Sequence, residues 1–181
     1  MPALFISHSN HDRVVTERVS GWLRRAGFTT VFVDFDPAQG IPAGRNWERE
    51  LYARLRRTEA VVFLGTHAAT ASQWCFAELS LARSLGHPVF PLVLEPGAGL
   101  PLLADVQWID LADTDLTDQH AGDGSGPPPG LLRLLAGLRA AGLDPADAFS
   151  WDPTRSPYPG LAPFDPEDVA VFFARERETE R

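Results

Sequence analysis

The stretch that decides the fold is "AVVFLGTHAATASQWCFAELSLARSLG", residues 60–86. Its first six residues are all apolar or glycine and predict a strand that is buried on both faces. A short polar turn follows, and the remainder has the apolar spacing of a helix that ends at glycine. A buried strand that leads directly into a helix is typical of a parallel sheet covered by helices.

The same alternation of strand and helix patterns continues on both sides of this stretch. The helical pattern after the first strand has Asn10 as a candidate cap and Gly27 as a stop. Five strands are predicted, at residues 3–7, 29–35, 60–65, 87–95 and 106–111. We therefore expect an α/β fold, in which a five-stranded parallel sheet forms the middle of a three-layer sandwich.

The end of the predicted domain is marked by a change in composition. Residues 112–130 are acidic and then rich in Gly and Pro, which predicts a surface loop. Residues 131–142 return to helical spacing and are expected to close the sandwich. We expect one domain over residues 1–143, followed by a Pro-rich linker that begins the segment 144–181.

Composition excludes several classes of function. The 181 residues include 16 basic residues, all of them Arg, and 24 acidic residues, so the net charge of −8 argues against a nucleic-acid surface. A single cysteine excludes an internal disulfide and favours a cytoplasmic location. No apolar run is long enough for a membrane span. His67, His87 and His120 lack the spacing of zinc ligands, so no metal is expected.

Four segments together carry a family resemblance: "LFISHSNHD" (4–12), "GFTTVFVDFDPAQGIPAGRNWERELYARL" (27–55), "AVVFLGTHAATASQWCFAELSLA" (60–82) and "HPVFPLVLE" (87–95). They resemble the successive sequence boxes of a TIR (Toll/interleukin-1 receptor) domain. The most specific part is Trp74 followed four positions later by Glu78. The resemblance implies a flavodoxin-like fold. Members of the family are either scaffolds that work by TIR–TIR association or enzymes that cleave NAD at the nicotinamide–ribose bond.

The enzymatic branch implies roles for five residues. Glu78 matches the catalytic glutamate, and Trp47 falls where an aromatic contacts the nicotinamide. Trp74, Ser7 and His8 would contribute to the same substrate site, although related sequences often carry an aromatic in place of His8. Each role has a plainer alternative, because helix glutamates are mostly surface residues and both tryptophans could simply pack. NAD would be the substrate, and no cofactor is expected.

The chemistry of Glu78 also has a physical basis. Breaking the bond to nicotinamide creates an oxocarbenium-like ribose, and a nearby carboxylate stabilises its positive charge. Nicotinamide leaves as a neutral base, so no general acid is needed. On a helical wheel Glu78 starts at the edge of the buried face, from which its side chain could point into a cleft.

The loop "DFDPAQGIPAG" (34–44) corresponds to the family's association loop. The resemblance implies that Asp36, Gly40, Ile41 and Pro42 dock on another copy of the chain, and the alternative is a plain solvent loop. In enzymatic members this loop completes the site across two copies. Activity is therefore expected to require self-association.

The tail "SPYPGLAPFDPEDVAVFFARERETER" (156–181) carries a second resemblance, to the opening segment before the nucleotide-binding module of bacterial STAND ATPases. Ala174 replaces the Gly of that pattern, and without any Lys no P-loop is possible in this chain. The expected function is an NAD glycohydrolase effector of a bacterial immune or signalling STAND protein. The alternatives are a non-catalytic TIR–TIR scaffold in signal transduction and a nucleoside deoxyribosyltransferase-like enzyme.

Overall fold

The computed structural model describes residues 2–33, 47–114, 116 and 127–147. All of these residues belong to one compact unit, Met1–Asp147. The tail assigned to a STAND module, residues 148–181, lies outside the described residues. Its predicted role therefore stays a prediction.

The centre of the molecule is a five-stranded sheet in which every neighbouring pair is parallel. The strand order is β2-β1-β3-β4-β5, the order of a flavodoxin-like fold. The predicted five-stranded parallel sheet is confirmed. Its strands are β1 (Ala3–Ser7), β2 (Thr30–Val33), β3 (Ala60–Gly65), β4 (Val89–Val93) and β5 (Ile109–Asp110).

Burial along the strands explains their composition. Every residue of β3 is buried, as its uniformly apolar sequence predicts for a central strand between two helical layers. β2 lies at the edge of the sheet, and each of its residues is only partly buried. β5 keeps two residues of the six predicted, because only Ile109 and Asp110 pair with β4.

Helices cover both faces of the sheet, so the predicted three-layer sandwich is confirmed. Buried side chains of the first and last helices share one core cluster, and those of two middle helices share the other. The helices are α1 (Arg13–Arg25), α2 (Trp47–Leu55), a single turn α3 (His67–Thr70), α4 (Gln73–Ser84) and α5 (Pro129–Ala140). The face covered by α1 and α5 is here called the first face, and the face covered by α2 and α4 the second.

The two ends of α1 differ in how well the sequence predicted them. Gly27 ends the helix as expected: it has φ +102°, its N–H bonds Arg24 O, and the next N–H, of Phe28, bonds Leu23 O. The prediction of Asn10 as the cap was wrong. A 3-10 turn precedes α1, and the side chain of Ser9 accepts the His11 N–H that opens this turn.

α5 begins inside the segment predicted to be a loop, so the loop boundary at residue 130 was wrong. Pro129 takes the first helical position, where its missing N–H costs nothing. Gly130 is buried so closely against Leu111 that a Cβ there would lie 2.4 Å from a Leu111 methyl carbon. Pro129 and Gly130, which are typical of loops, therefore allow close packing at the start of α5.

Candidate functional site

The candidate site lies where β1 and β3 end side by side at the centre of the sheet. The chain leaves β1 through α1 towards β2, and leaves β3 through α3 and α4 towards β4. The strand order reverses between these two strands, and α1 and α4 cover opposite faces. Such a reversal opens a crevice at the carboxyl edge, where ligands bind in open α/β sheets.

Three polar residues at the end of β1 are buried rather than solvated: Ser7, His8 and Ser9. Ser7 is paired in register with Phe63 of β3. Alternation along β1 puts Ser7 on the side of Phe5, a member of the second-face core. Within the part of the chain that the structure describes, the buried Ser7 hydroxyl has no hydrogen-bond partner. It is therefore a buried polar group on the second face whose burial no described residue compensates.

Glu78 lies in the second turn of α4, in the layer that faces Ser7. The helix begins at Gln73, after Ser72, whose hydroxyl accepts the Cys75 N–H at 3.3 Å. It packs against β1, β3 and β4. Glu78 is only 3% exposed. It belongs to the fully buried stripe of the helix, which consists of Cys75, Glu78, Leu79 and Ala82.

The helical wheel predicts Glu78 at the edge of the buried face of α4. In the structure the residue is buried more deeply than that. A carboxylate occupies a position of the stripe at which its neighbours Cys75 and Leu79 contribute to the apolar core. Burying such a group is costly unless it is compensated. Local patterning is broken in this way chiefly at functional sites.

Of the two predicted tryptophans, the structure describes the side chain of Trp74 and not that of Trp47. Trp74, in the first turn of α4, is 41% exposed, and Phe76 two residues on is 50% exposed. Trp47 is the first residue of α2, and its side chain lies outside the described residues. The predicted association loop, with Asp36, Gly40, Ile41 and Pro42, also lies outside them. The roles assigned to all these residues stay predictions.

A hydrogen-bonded pair that sequence reasoning did not single out crosses the crevice. The Thr66 hydroxyl, directly after β3, donates to Asp12 Oδ2 at 2.6 Å and accepts the Ala69 N–H at 3.0 Å. Thr66 is thereby the N-cap of α3. Its sequence signal was the common one of Thr before a helix, whereas nothing in the sequence linked it to Asp12.

Asp12 and Thr66 also line a cavity of about 280 Å³ that opens between α1 and the carboxyl ends of β4 and β5. Its remaining polar wall includes Glu95, which accepts the His67 N–H at 2.5 Å. The apolar part of the lining includes Val15, Leu94, Leu111 and Leu116. These belong to or pack on the first-face core, so this cavity is separate from the layer that holds Glu78.

Two searches were confined to the described residues. Over 2–33, 47–114, 116 and 127–147, no three or more His, Cys, Asp or Glu side chains are grouped as metal ligands would be. Over the same ranges, no helix has both the length and the apolar character that a membrane span requires.

Comparison with known proteins adds the family. The family model of the TIR domain matches residues 4–122, more than half of the chain. No functionally curated protein matches the sequence closely enough to count as a relative.

Two of the solved structures that are similar to the chain illustrate the likeness. One is the TIR domain of the Toll-related receptor TRR-2 from the lower metazoan Hydra magnipapillata. It is 17% identical with a TM-score of 0.51, over 64% of this chain and 89% of that one. The other is the TIR domains of the activated Roq1 resistosome directly recognizing the pathogen effector XopQ, 15% identical with a TM-score of 0.48 over 76% and 99%. The first likeness shows the fold, and the second is too distant to add to it. With the family model matching most of the sheet described above, the chain belongs to the TIR domain family.

Proposed function

We propose that this TIR domain is an NAD glycohydrolase, which cleaves the nicotinamide–ribose bond when copies of the chain associate. The observation that carries the proposal is the burial of one carboxylate, Glu78, in the inward stripe of α4. In the chain's resemblance to enzymatic TIR domains, Glu78 is also the position of the catalytic glutamate. The proposal therefore rests on a match of residue and on an unusual physical environment.

The reaction needs what a buried carboxylate supplies. As the bond to nicotinamide breaks, the ribose gains positive charge, and an oriented negative group stabilises that charge most strongly where water is excluded. Nicotinamide departs as a neutral base, so one carboxylate suffices. Water then adds to the ribose and yields ADP-ribose, whereas an internal acceptor would give a cyclic product.

Ser7 supports a substrate site in the same layer. It pairs with Phe63, which shares the second-face core with Cys75 and Leu79. Glu78 lies between these two residues on α4. A buried hydroxyl and a buried carboxylate in one layer suit the hydroxyls of a ribose, which both donate and accept hydrogen bonds. Stacking of Trp47 on the nicotinamide remains part of the proposal.

The experiment measures nicotinamide release from NAD on protein crowded onto beads, since a dilute monomer is expected to be silent. Glu78→Gln keeps the size of the side chain and removes its charge, and we expect activity to fall by about 100-fold or more. The control is Glu17→Gln, which changes an exposed glutamate of α1. Equal activity in Glu78→Gln and the wild type would refute the catalytic role.

A second candidate function is a TIR–TIR interaction scaffold without catalysis, which the exposed aromatics of α4 favour. Trp74 and Phe76 are exposed to 41% and 50% on a helix whose inward stripe is buried. Exposed aromatic side chains are enriched in protein interfaces. If the wild type forms oligomers by sedimentation, releases no nicotinamide, and loses its oligomers in Phe76→Ser, the scaffold replaces the enzyme.

The setting of the activity is a further part of the proposal. We infer an effector of a bacterial immune or signalling STAND protein in the cytoplasm, from the resemblance of residues 156–181 to the segment before a nucleotide-binding module. Self-association through Asp36, Gly40, Ile41 and Pro42 belongs to the same inference. Ile41→Asp tests the self-association: the variant should remain folded and lose activity on beads.

A further inference from the structure

The Thr66 hydroxyl makes two hydrogen bonds in opposite directions. It donates to Asp12 Oδ2 at 2.6 Å, which is within the range of short bonds to a charged oxygen. It also accepts the Ala69 N–H at 3.0 Å, the bond that caps α3. Thr66 itself is buried. One side chain therefore joins segments that are 54 residues apart in the sequence.

Asp12 is itself hydrogen-bonded to nearby residues of its own segment. Asp12 donates its N–H to Ser9 O at 2.8 Å, and its carbonyl accepts the Thr16 hydroxyl at 2.8 Å. These bonds connect Asp12 to the loop that follows Ser7 and to the first turn of α1. The loop after β1 therefore cannot shift freely while Thr66 holds the Asp12 carboxylate.

On the other side, Thr66 is connected to the helix that carries Glu78. Its carbonyl accepts the Thr70 N–H and the Thr70 hydroxyl, at 2.9 Å and 3.0 Å. α3 then contacts α4, which begins three residues after it ends. A change in the angle of α3 would therefore change the position of the first turns of α4.

We propose that Thr66 is a positioning residue: by joining Asp12 to α3, it holds the loop that follows Ser7 and begins with His8 in a set relation to Glu78 across the crevice. The inference rests on the proposed function. Thr66 lies towards the first-face cavity rather than the substrate layer. Its effect on catalysis passes through the two segments that it joins.

The test compares Thr66→Val, Thr66→Ser and the wild type. Val has the same shape but lacks the hydroxyl, so both hydrogen bonds are lost, whereas Ser retains them. We expect kcat to fall about tenfold to 100-fold in Thr66→Val, since small misplacements of reacting groups have effects of this size. KM should change less than kcat, because the charge on the ribose develops only in the transition state. Thr66→Ser should restore most of the activity.

Thr58→Val is the matched control. Thr58 is a buried threonine whose hydroxyl donates to Leu55 O at 2.8 Å, and it precedes β3 at the opposite edge of the sheet. The variant Thr58→Val therefore loses a buried hydroxyl without disturbing the crevice. A kcat in Thr58→Val as low as in Thr66→Val would mean that general loss of stability explains the effect, and would overturn the proposal.

Amide hydrogen exchange separates this inference from the proposed function. In Thr66→Val, exchange at the amides of Asp12 and Ala69 should speed up together, and in Thr58→Val both should stay as in the wild type. Unchanged exchange at Asp12 overturns the joining role whatever the activity. A wild type that releases no nicotinamide refutes the proposed function instead, and linked exchange at the two amides would still support the joining role.

Discussion

Arg83, near the end of α4, and Asp105, in the connection between β4 and β5, are joined by two parallel hydrogen bonds of 2.7 Å. The same guanidinium donates to Leu102 O at 2.6 Å. The bond to Arg83 is the main cause that lowers the pKa of Asp105 below its ordinary value of 3.8, and it raises the pKa of Arg83 in return. This pair fastens a long connection to the helix that carries Glu78.

We expect the pair to make stability depend on acid pH. Since the pKa of Asp105 is lower in the folded chain, its stabilising effect is present above 3.8 and is lost as the pH falls through the folded value. The effect should be small, because the Asp105 side chain is 66% exposed and the Arg83 side chain 34% exposed, so water screens the pair. The measurement is the urea midpoint of the wild type and Asp105→Asn from about pH 2 to pH 7.

The wild type should have the higher midpoint near neutral pH, and the two curves should converge at the acid end. An equally large difference between the two urea midpoints at the lowest pH would show that Asp105 acts through something other than its charge. Arg83 contributes no slope in this window, since the bond to Asp105 raises the pKa of a guanidinium that is already charged throughout it.

Glu78 and Leu79 should respond differently to substitution although they are neighbours in one buried stripe. Glu78→Gln should change the free energy of unfolding little, because Gln keeps the size of the side chain and can still form hydrogen bonds. Leu79→Ala should lower it by about 2–5 kcal/mol, since Leu79 is fully buried and its loss leaves a cavity. Denaturant unfolding measures both. A large destabilisation in Glu78→Gln would mean that the carboxylate is structural.

Ser7 should matter for substrate affinity and not for folding. Its buried hydroxyl has no partner among the described residues, so Ser7→Ala should be neutral or more stable by up to about 1 kcal/mol. If the hydroxyl bonds the ribose, KM for NAD should rise about tenfold, the equivalent of roughly 1.4 kcal/mol.

Ser20→Ala is the control for Ser7, because the Ser20 hydroxyl on α1 is equally buried and has no partner within the described ranges. It should leave KM unchanged. An identical KM in both variants and the wild type would remove Ser7 from the substrate site.

Substitutions of Gly27 and Gly86 distinguish two physical reasons for a glycine, a positive φ and close packing. Both have positive φ, +102° and +79°, but a Cβ on Gly27 would lie 2.8 Å from Pro145 Cβ, whereas Gly86 faces open space. Gly86→Ala should cost about 1 kcal/mol of stability, from backbone strain alone. Gly27→Ala should cost roughly 1–3 kcal/mol more, from overpacking against Pro145. Equal midpoints in thermal unfolding would contradict the contact with Pro145.

Local patterns in the sequence sufficed for the architecture. The apolar run 60–65 could only be a central strand, and its alternation with helical segments implied parallel pairing. Gly27 was recognised as a helix stop because a left-handed residue after a helix is nearly always glycine. Asn10 failed as a cap because the neighbouring Ser9 can serve equally well, and residue 130 failed as a boundary because Pro129 and Gly130, typical of loops, begin α5.

The depth and connections of the site depended on the tertiary structure. A helical wheel considers one helix alone, whereas α4 packs against three strands, β1, β3 and β4, and this packing buries Glu78. Thr66 and Asp12 are 54 residues apart, and only the side-by-side ends of β1 and β3 bring them within hydrogen-bond distance. The sequence by itself determined the order of strands and helices along the chain, since that order is recorded in local spacing, and the candidate carboxylate followed from the resemblance of its segment to TIR domains. The tertiary structure alone decided which polar groups are buried and which are joined, because burial and contact depend on elements distant in the chain.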